Sequence, residues 1–125
     1  MPVENRLDCE ILVVEDEWLV RLDLVEALEE VGARVAEAET AEDALDLMAG
    51  AMPRILVTDI RLAGVMDGWD LAEAYRGHYP EGGVIYASAN VPIGARQVAG
   101  SVFFPKPVAT AALIDACHAI CSPKK

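Results

Sequence analysis

The chain has 125 residues, 54% of them hydrophobic and 25% charged, which is typical of one globular domain spanning residues 1–125. Its 21 acidic and 10 basic side chains give a formal net charge of −11, which disfavours binding to a nucleic-acid backbone. The charge is uneven, because residues 1–50 contain fifteen of the acids and three of the bases. The N-terminal part of the chain therefore concentrates carboxylates.

The sequence predicts a cytoplasmic protein without a membrane segment. Residues 1–10 contain three acids and no apolar stretch of the kind found in secretory signals. The apolar stretch 108–121 is interrupted by polar residues and is too short to span a bilayer. Cys9, Cys117 and Cys121 lack zinc-type spacing, and we interpret all three as reduced thiols that act as small core hydrophobes.

Five short apolar stretches alternate with segments of helical periodicity. In chain order, the predicted strands are 11–14, 34–39, 55–58, 84–87 and 102–104. The predicted helices are 18–31, 40–50, 67–79 and 109–121, the second of which begins at Thr40 as N-cap. Strands that alternate with helices at this spacing form βαβ units, which predicts an α/β fold with a parallel sheet and helices on both faces.

The connection between the fourth and fifth predicted strands is short. It contains Pro92, Gly94 and Gly100, so that only residues 95–99 remain for a helix. Such a stretch forms little more than one helical turn, which is marginal without tertiary packing. We therefore expect the helix that would connect these two strands, the fourth in such a fold, to be short or absent.

Chemically distinctive side chains follow four of the predicted strands. Glu15 and Asp16 follow the first strand, Asp59 the third, Ser88 the fourth and Lys106 the fifth. Since the carboxyl ends of parallel strands meet at one edge of a sheet, we expect these side chains to lie close together. Clustered carboxylates need a cation, and carboxylate oxygens suit Mg²⁺, which in turn favours a phosphoryl oxygen as a further ligand.

This arrangement predicts phosphoryl transfer to the protein itself. Asp59 is the expected nucleophile, because a carboxylate can accept a phosphoryl group as an acyl phosphate. Asp16 and Asp59 are expected to hold Mg²⁺, with Glu15 acting through water. The Lys106 ammonium and the Ser88 hydroxyl would each take one phosphoryl oxygen, since this reaction needs mainly positioning and charge stabilisation.

The pattern resembles the receiver domains of two-component response regulators over nearly the whole chain. The matching residues are Val13-Val14-Glu15-Asp16, Thr58-Asp59, Asp67-Gly68, Ser88-Ala89 and Lys106-Pro107. The resemblance implies a flavodoxin-like, doubly wound sheet of five strands in the order 2-1-3-4-5. It also implies a free-standing, single-domain receiver of the chemotaxis type.

The resemblance implies a role for each matching position. Asp59 would be the phosphorylated residue, Glu15 and Asp16 the metal-binding acids, and the Arg61 carbonyl a further metal ligand. As in the family, the cofactor would be Mg²⁺.

The resemblance also implies switch residues and a cis peptide bond. Ser88 would be the switch hydroxyl, Phe103 the switch aromatic and Lys106 the phosphate-binding lysine, with a cis bond between Lys106 and Pro107. Phe103 departs from the usual pattern because it lacks a hydroxyl group. The loop after the acceptor also departs from it, with Ala63 where proline is usual and one extra residue before the glycine.

We expect a signalling switch rather than a turnover enzyme. The phosphoryl group would come from a histidine kinase or phosphotransfer protein, and the output would be contact with a downstream protein, by a monomer or weak dimer. The alternative is a degenerate receiver that acts as an unphosphorylated protein-binding module. A haloacid-dehalogenase-type phosphatase would need a second aspartate where Arg61 stands, and a flavin carrier would need a small polar loop where Glu15 and Asp16 stand.

Trp18 directly follows the acidic residues at the end of the first strand. Two interpretations are open: an exposed aromatic that contacts a partner, or a residue at the edge of the core. The helical periodicity of its neighbours favours the core edge.

Overall fold

The computed structural model describes residues 6–89 and 96–121. Its strands are β1 (Glu10–Val14), β2 (Arg34–Ala38), β3 (Ile55–Thr58), β4 (Gly83–Ser88) and β5 (Val102–Pro105). Its helices are α1 (Trp18–Glu30), α2 (Ala41–Gly50), α3 (Gly68–His78) and α4 (Thr110–Cys121). Every element predicted from the sequence is present, and each end agrees to within one residue.

The five strands form one parallel sheet in the order β2-β1-β3-β4-β5. This order confirms the doubly wound, flavodoxin-like fold class. Strand β2 lies on one side of β1, and β3, β4 and β5 lie on the other side, so the chain reverses its direction of winding between β1 and β3. In folds of this type, ligands bind outside the carboxyl ends of the strands at that reversal.

Each central strand is buried on both faces, which explains its uninterrupted apolar sequence. Along β1, Ile11 and Val13 belong to one core cluster, whereas Leu12 and Val14 belong to another. Successive side chains of a strand point to opposite faces, so every position must be apolar. The first cluster includes buried residues of α1 and α4, and the second includes buried residues of α2 and α3.

Side-chain caps set the starts of two helices. The Thr40 hydroxyl accepts a hydrogen bond from the Asp43 N–H at 3.0 Å, as the sequence predicts for the start of α2. At α3 the caps are reciprocal: Asp67 accepts from the Asp70 N–H at 2.9 Å, and Asp70 accepts from the Asp67 N–H at 3.1 Å. These caps fix the residue at which each helix begins.

The described part of the connection between β4 and β5 contains no helix, as expected. Residues 96–101 form turns, and residues 90–95, with Pro92 and Gly94, lie outside the described residues. The Arg96 guanidinium contacts Asp70 at 2.9 Å and Glu73 at 2.8 Å, both on α3. These ion pairs attach the connection to α3.

The interpretation of all three cysteines as free thiols is wrong for two of them. Cys9 and Cys121 form a disulfide, with their Cα atoms 6.2 Å apart, whereas Cys117 is free and buried. The two bonded cysteines are 112 residues apart in sequence. The sequence contains no signal for the pair, because only the packing of α4 beside the entry to β1 brings them together.

Across residues 6–89 and 96–121, no helix is long and apolar enough to cross a membrane. The longest, α1, has 13 residues, whereas a membrane-spanning helix needs about 20.

Tyr75 provides a test of the packing between α3 and the sheet. Its side chain is fully buried, and its hydroxyl donates a hydrogen bond to the Pro53 carbonyl at 2.8 Å. Tyr75→Phe leaves that buried carbonyl unpaired, so we expect the free energy of unfolding to fall by about 1–2 kcal/mol in urea denaturation. Tyr79→Phe, at a partly exposed position next to α3, is the control and should change it by less than about 0.5 kcal/mol. Equal losses in both variants would contradict the role given to the Tyr75 hydroxyl.

Candidate functional site

The backbone places the candidate site at the carboxyl edge of the sheet. Parallel pairing continues one residue beyond the strands, since the Asp59 N–H donates to the Val14 carbonyl at 3.0 Å. The Lys106 N–H likewise donates to the Ser88 carbonyl at 3.0 Å. The strand-end residues predicted from the sequence are therefore held at defined positions along one edge.

The Lys106 ammonium links two of the strand-end carboxylates. Its Nζ lies 2.6 Å from Glu15 Oε1 and 2.9 Å from Asp59 Oδ2. The Glu15 side chain is 1% exposed and the Asp59 side chain 10%, so water screens these ion pairs only weakly. The cation offsets part of the repulsion between two carboxylates that the fold holds close together.

The Asp59 carboxylate is oriented by the loop that follows it. Its Oδ1 accepts hydrogen bonds from the N–H groups of Ile60 at 2.7 Å and Arg61 at 3.3 Å. Gly68, the first residue of α3, packs against the same loop, and its N–H donates to the Ile60 carbonyl at 2.7 Å. A Cβ atom on Gly68 would collide with the Asp59 carbonyl oxygen. This close approach explains why glycine stands at the start of α3.

Glu15 is the most buried acid of the site. Its Oε2 accepts a hydrogen bond from the Glu17 N–H at 3.1 Å, and its backbone carbonyl accepts one from Arg21 Nη1 at 2.7 Å. Its Oε1 is buried and accepts no well-aligned hydrogen bond from the described residues, so its contact with Lys106 is that of an ion pair. The Oε1 atom of Glu15 therefore pairs with a cation, the Lys106 ammonium, rather than with a backbone N–H group.

Burial and charge shift the pKa values of this pair. Desolvation raises the pKa of Glu15, and it outweighs the Lys106 ammonium and the Glu17 N–H, which lower it. Desolvation acts to lower the pKa of Lys106, but the carboxylates of Glu15 and Asp59 outweigh it and raise the pKa overall. The ammonium therefore stays charged at neutral pH, while a further cation would stabilise the Glu15 carboxylate.

Three acids of the site fit a divalent cation. Glu15, Asp16 and Asp59 can each offer one carboxylate oxygen, and these oxygens lie within 4.8 Å of one another. Such hard oxygen ligands suit Mg²⁺, which keeps several of its waters. The acids predicted from the sequence are therefore brought together as a possible metal site.

A depression of about 270 Å³ opens beside these acids. It is lined by Asp16, Asp59, Ser88, Lys106 and Arg61, together with residues adjacent to them in sequence. The structure thus brings the predicted nucleophile, hydroxyl and ammonium to one cavity.

Phe103 lies away from this depression. It is partly buried in β5 and packs against the core cluster of α2 and α3, opposite Tyr86 in the pairing of β4 with β5.

The Lys106–Pro107 peptide bond is cis, as the resemblance implies.

Two observations at the site go beyond the sequence analysis. Arg21 on α1 contacts the Glu15 carbonyl and also the Glu37 carboxylate at 2.9 Å, and no spacing in the sequence indicates this bridge. Trp18 is 63% exposed, so its interpretation as a core-edge residue is wrong. Leu19 and Leu22 on α1 are also exposed, at 61% and 40%. We call the apolar surface formed by Trp18, Leu19 and Leu22 the Trp18 surface.

Comparison with known proteins identifies the family. The model of the response regulator receiver domain matches residues 11–118. The chain belongs to this family. Receiver domains are signalling switches of two-component systems, and they interact with histidine kinases or phosphotransfer proteins.

Solved receiver domains share the whole architecture. A response regulator receiver protein from Sinorhizobium medicae is 29% identical, with a TM-score of 0.85, and the match covers 90% of this chain and 93% of that one. The receiver domain of the hybrid histidine kinase CckA is 28% identical, with a TM-score of 0.76, and the match covers 89% of this chain and 97% of that one.

One curated relative is much longer than the present receiver domain. The transcriptional regulatory protein AfsQ1 from Streptomyces coelicolor is 35% identical over 66 residues. That match covers 53% of this chain and 29% of the length of AfsQ1.

Gly68 and Gly77, both on α3, form a matched pair for testing how Asp59 is positioned. Gly68→Ala should lower the free energy of unfolding by about 1–3 kcal/mol, because the new methyl group pushes against the Asp59 backbone. Gly77→Ala meets no atom within 4 Å and should raise it by about 0.5–1 kcal/mol through helix propensity. Urea denaturation measures both values. Stabilisation by both substitutions would show that the close approach at Gly68 is not a constraint.

Metal binding at the three acids is testable by titration with Mg²⁺. In a Trp69→Phe background Trp18 is the remaining tryptophan, and its fluorescence should change saturably because it is two residues from Asp16. Asp16→Asn should weaken binding at least about tenfold, since the cation loses a charged ligand. Glu29→Gln removes an equal charge at an exposed position of α1 and is the control. Equal affinities for Mg²⁺ in the two variants would place the cation elsewhere.

Proposed function

We propose that this receiver domain is a switch in which Asp59 accepts a phosphoryl group from a histidine kinase or phosphotransfer protein. One observation carries the proposal: the Asp59 carboxylate lies 2.9 Å from the Lys106 ammonium, at a depression lined by Ser88 and Asp16. A nucleophile, a cation and a hydroxyl thus occupy a single cavity, which is what phosphoryl transfer to a carboxylate requires.

The proposed transfer forms one bond and breaks one. An oxygen of the Asp59 carboxylate bonds to phosphorus while the P–N bond of the donor phosphohistidine breaks, and the imidazole leaves. The Lys106 ammonium then exchanges its contact with the carboxylate for one with a phosphoryl oxygen. Water later attacks phosphorus, which releases inorganic phosphate and restores the Asp59 carboxylate.

Glu15, Asp16 and Asp59, with the Arg61 carbonyl, are the proposed ligands of Mg²⁺. The bound cation would offset the negative charge of the phosphoryl group next to these acids. The Asp59 carboxylate keeps its orientation through the N–H groups of Ile60 and Arg61. The protein therefore contributes a fixed nucleophile and a prearranged set of charges.

Ser88 and Phe103 are the proposed switch. Ser88 is 2% exposed at the end of β4, and movement of its hydroxyl toward a phosphoryl oxygen would change the packing behind it. Phe103, partly buried on the neighbouring strand, is the side chain that can respond. Phosphorylation would thus shift the population between two packings of β4 and β5.

The Trp18 surface is the proposed docking site for the phosphodonor protein. A donor histidine must reach Asp59, so the protein that carries it has to cover the neighbouring part of α1. Exposed Trp18, Leu19 and Leu22 provide the apolar anchors that such contacts use.

The remaining properties follow from this proposal. The protein would be cytoplasmic, would act as a monomer or weak dimer, and would bind a downstream protein rather than nucleic acid, to which its net charge of −11 is poorly suited. It would lose its phosphoryl group slowly and would not be a turnover enzyme.

Intact mass after incubation with acetyl phosphate and Mg²⁺ tests the proposed function. We expect the mass to increase by one phosphoryl group, because Asp59 is the nucleophile. Asp59→Asn should show no increase, whereas Asp67→Asn, which removes a carboxylate at the start of α3, should be modified like the wild type. Removal of Mg²⁺ with a chelator should prevent the gain.

An unmodified wild-type protein would favour the alternative function, an unphosphorylated protein-binding module. A gain that survives Asp59→Asn would instead show that another side chain is the acceptor. In either case the assignment of Asp59 would be wrong.

The docking proposal predicts that Trp18 affects one class of donor only. Trp18→Ala should slow transfer from a phosphorylated phosphotransfer protein at least about tenfold, through loss of an interface anchor. The rate with acetyl phosphate should stay within about twofold, because Trp18 does not act on the reacting atoms. Leu47→Ala, at a 42% exposed position on α2, is the control and should leave both rates unchanged. Equal slowing with both donors would show that Trp18 shapes the site rather than docks a partner.

A further inference from the structure

We propose that Cys9 and Cys121 are a reversible redox modification site, and that reduction of their disulfide releases the last turn of α4 from the sheet. The bond joins the residue before β1 to the last residue of α4. It lies at the edge of the sheet opposite the candidate phosphorylation site, and its thiol chemistry is independent of the proposed function.

The geometry gives the two sulfurs different access to a reductant. Cys9 is 2% exposed, whereas Cys121 is partly exposed at the end of its helix. Thiol–disulfide exchange begins with attack of an external thiolate on an accessible sulfur. Attack on Cys121 Sγ breaks the S–S bond and releases the Cys9 thiolate, which takes up a proton in the core.

The balanced reaction consumes two external thiols. The first forms a mixed disulfide with Cys121, and the second displaces Cys121 as a free thiol. The products are two protein thiols and one disulfide of the external thiol. A low-molecular-weight thiol such as glutathione, or a dithiol protein, is the class of reductant required, and the corresponding disulfide drives the reverse reaction.

Cys117 does not exchange with Cys9 or Cys121 in this disulfide. It is fully buried on α4, and burial raises the pKa of its thiol to about 12, so it stays protonated and unreactive. The exchange is therefore confined to Cys9 and Cys121.

Non-covalent contacts also hold the end of α4, since Ile120 and Cys121 pack against the core cluster of α1 and α4. Arg54 Nη2 donates to the Ile120 carbonyl at 3.3 Å, which is a long hydrogen bond. Ile120 also packs against Gly83, where an added Cβ atom would lie 2.8 Å from Ile120 Cγ2. The buried residues of α4, Leu113 and Cys117, precede this turn. Opening the disulfide removes the covalent link at this turn, so we expect the last turn to loosen while the part of the helix that contains Leu113 and Cys117 stays packed.

Release of the last turn of α4 could reach signalling because of where this helix lies in the domain. This helix follows directly on the segment that carries Lys106, and no described helix lies between β4 and β5. For a downstream partner that binds the surface formed by β5 and α4, release of the last turn would change part of that surface. This consequence rests on the proposed function, whereas the redox chemistry does not.

Thiol counting in glutathione buffers tests the modification. The full chain is equilibrated at several ratios of reduced to oxidised glutathione, quenched with acid, and alkylated under denaturing conditions. Intact mass should report one free thiol at the oxidising end and three at the reducing end, with a smooth transition between them. Cys117→Ser should leave the ratio at the midpoint unchanged, with zero and two free thiols at the two ends.

Three results of the titration would overturn the proposal. One free thiol at every ratio would mean a permanent structural disulfide, and three at every ratio would mean that the bond does not form. Loss of the transition in Cys117→Ser would mean that a different pair reacts.

Amide hydrogen exchange tests the release of α4. On reduction, exchange in residues 118–121 should accelerate at least about tenfold, while β3 and β4 stay protected. Cys121→Ser should show the fast exchange in both buffers. Unchanged exchange in reduced wild-type protein would overturn the proposed release. Because both measurements use unphosphorylated protein, their failure would leave the proposed function of Asp59 unaffected.

Discussion

The Lys106 ammonium, 2.6 Å from Glu15 and 2.9 Å from Asp59, is the interaction on which the candidate site depends. The parallel sheet brings these two poorly solvated carboxylates to one edge, and without a cation their repulsion would oppose the fold. One ammonium does not fully balance the cluster, since Asp16 adds a third acid beside Glu15 and Asp59. The resting site is therefore short of positive charge, which is the electrostatic condition for binding a divalent cation and, with it, a phosphoryl group.

The loop after β3 is the second constraint, because it fixes the direction of the Asp59 carboxylate. Backbone N–H groups hold Oδ1, and α3 begins so close to the Asp59 carbonyl that glycine is required at position 68. The far end of this loop contacts the start of α2, where the Met66 N–H donates to the Glu42 carboxylate at 3.2 Å. The far end of the loop is thus attached to α2, while its first residues hold the Asp59 carboxylate.

The described part of the connection between β4 and β5, residues 96–101, is held against α3 and β4. Arg96 holds the described part of the connection against Asp70 and Glu73 of α3, and the Val98 N–H donates to the Tyr86 hydroxyl at 3.2 Å. Tyr86 lies opposite Phe103 in the sheet and contacts Trp69 on α3, with ring centroids 4.9 Å apart. Aromatic side chains therefore link β4 to α3 beside the described part of this connection.

The sequence alone determined the elements, their parallel arrangement and the strand-end chemistry, because apolar periodicity and the residue after each strand are local properties. The family resemblance added the strand order, which the structure confirms. Only the tertiary structure decided how Cys9 pairs with Cys121, how far Trp18 is exposed and which carbonyl Arg21 contacts. Each of these depends on residues far apart in sequence or on which side of a helix meets the sheet, and neither is encoded in a local pattern. Tertiary packing therefore decides the surface and the cross-links, whereas local sequence decides which residues stand at the strand ends.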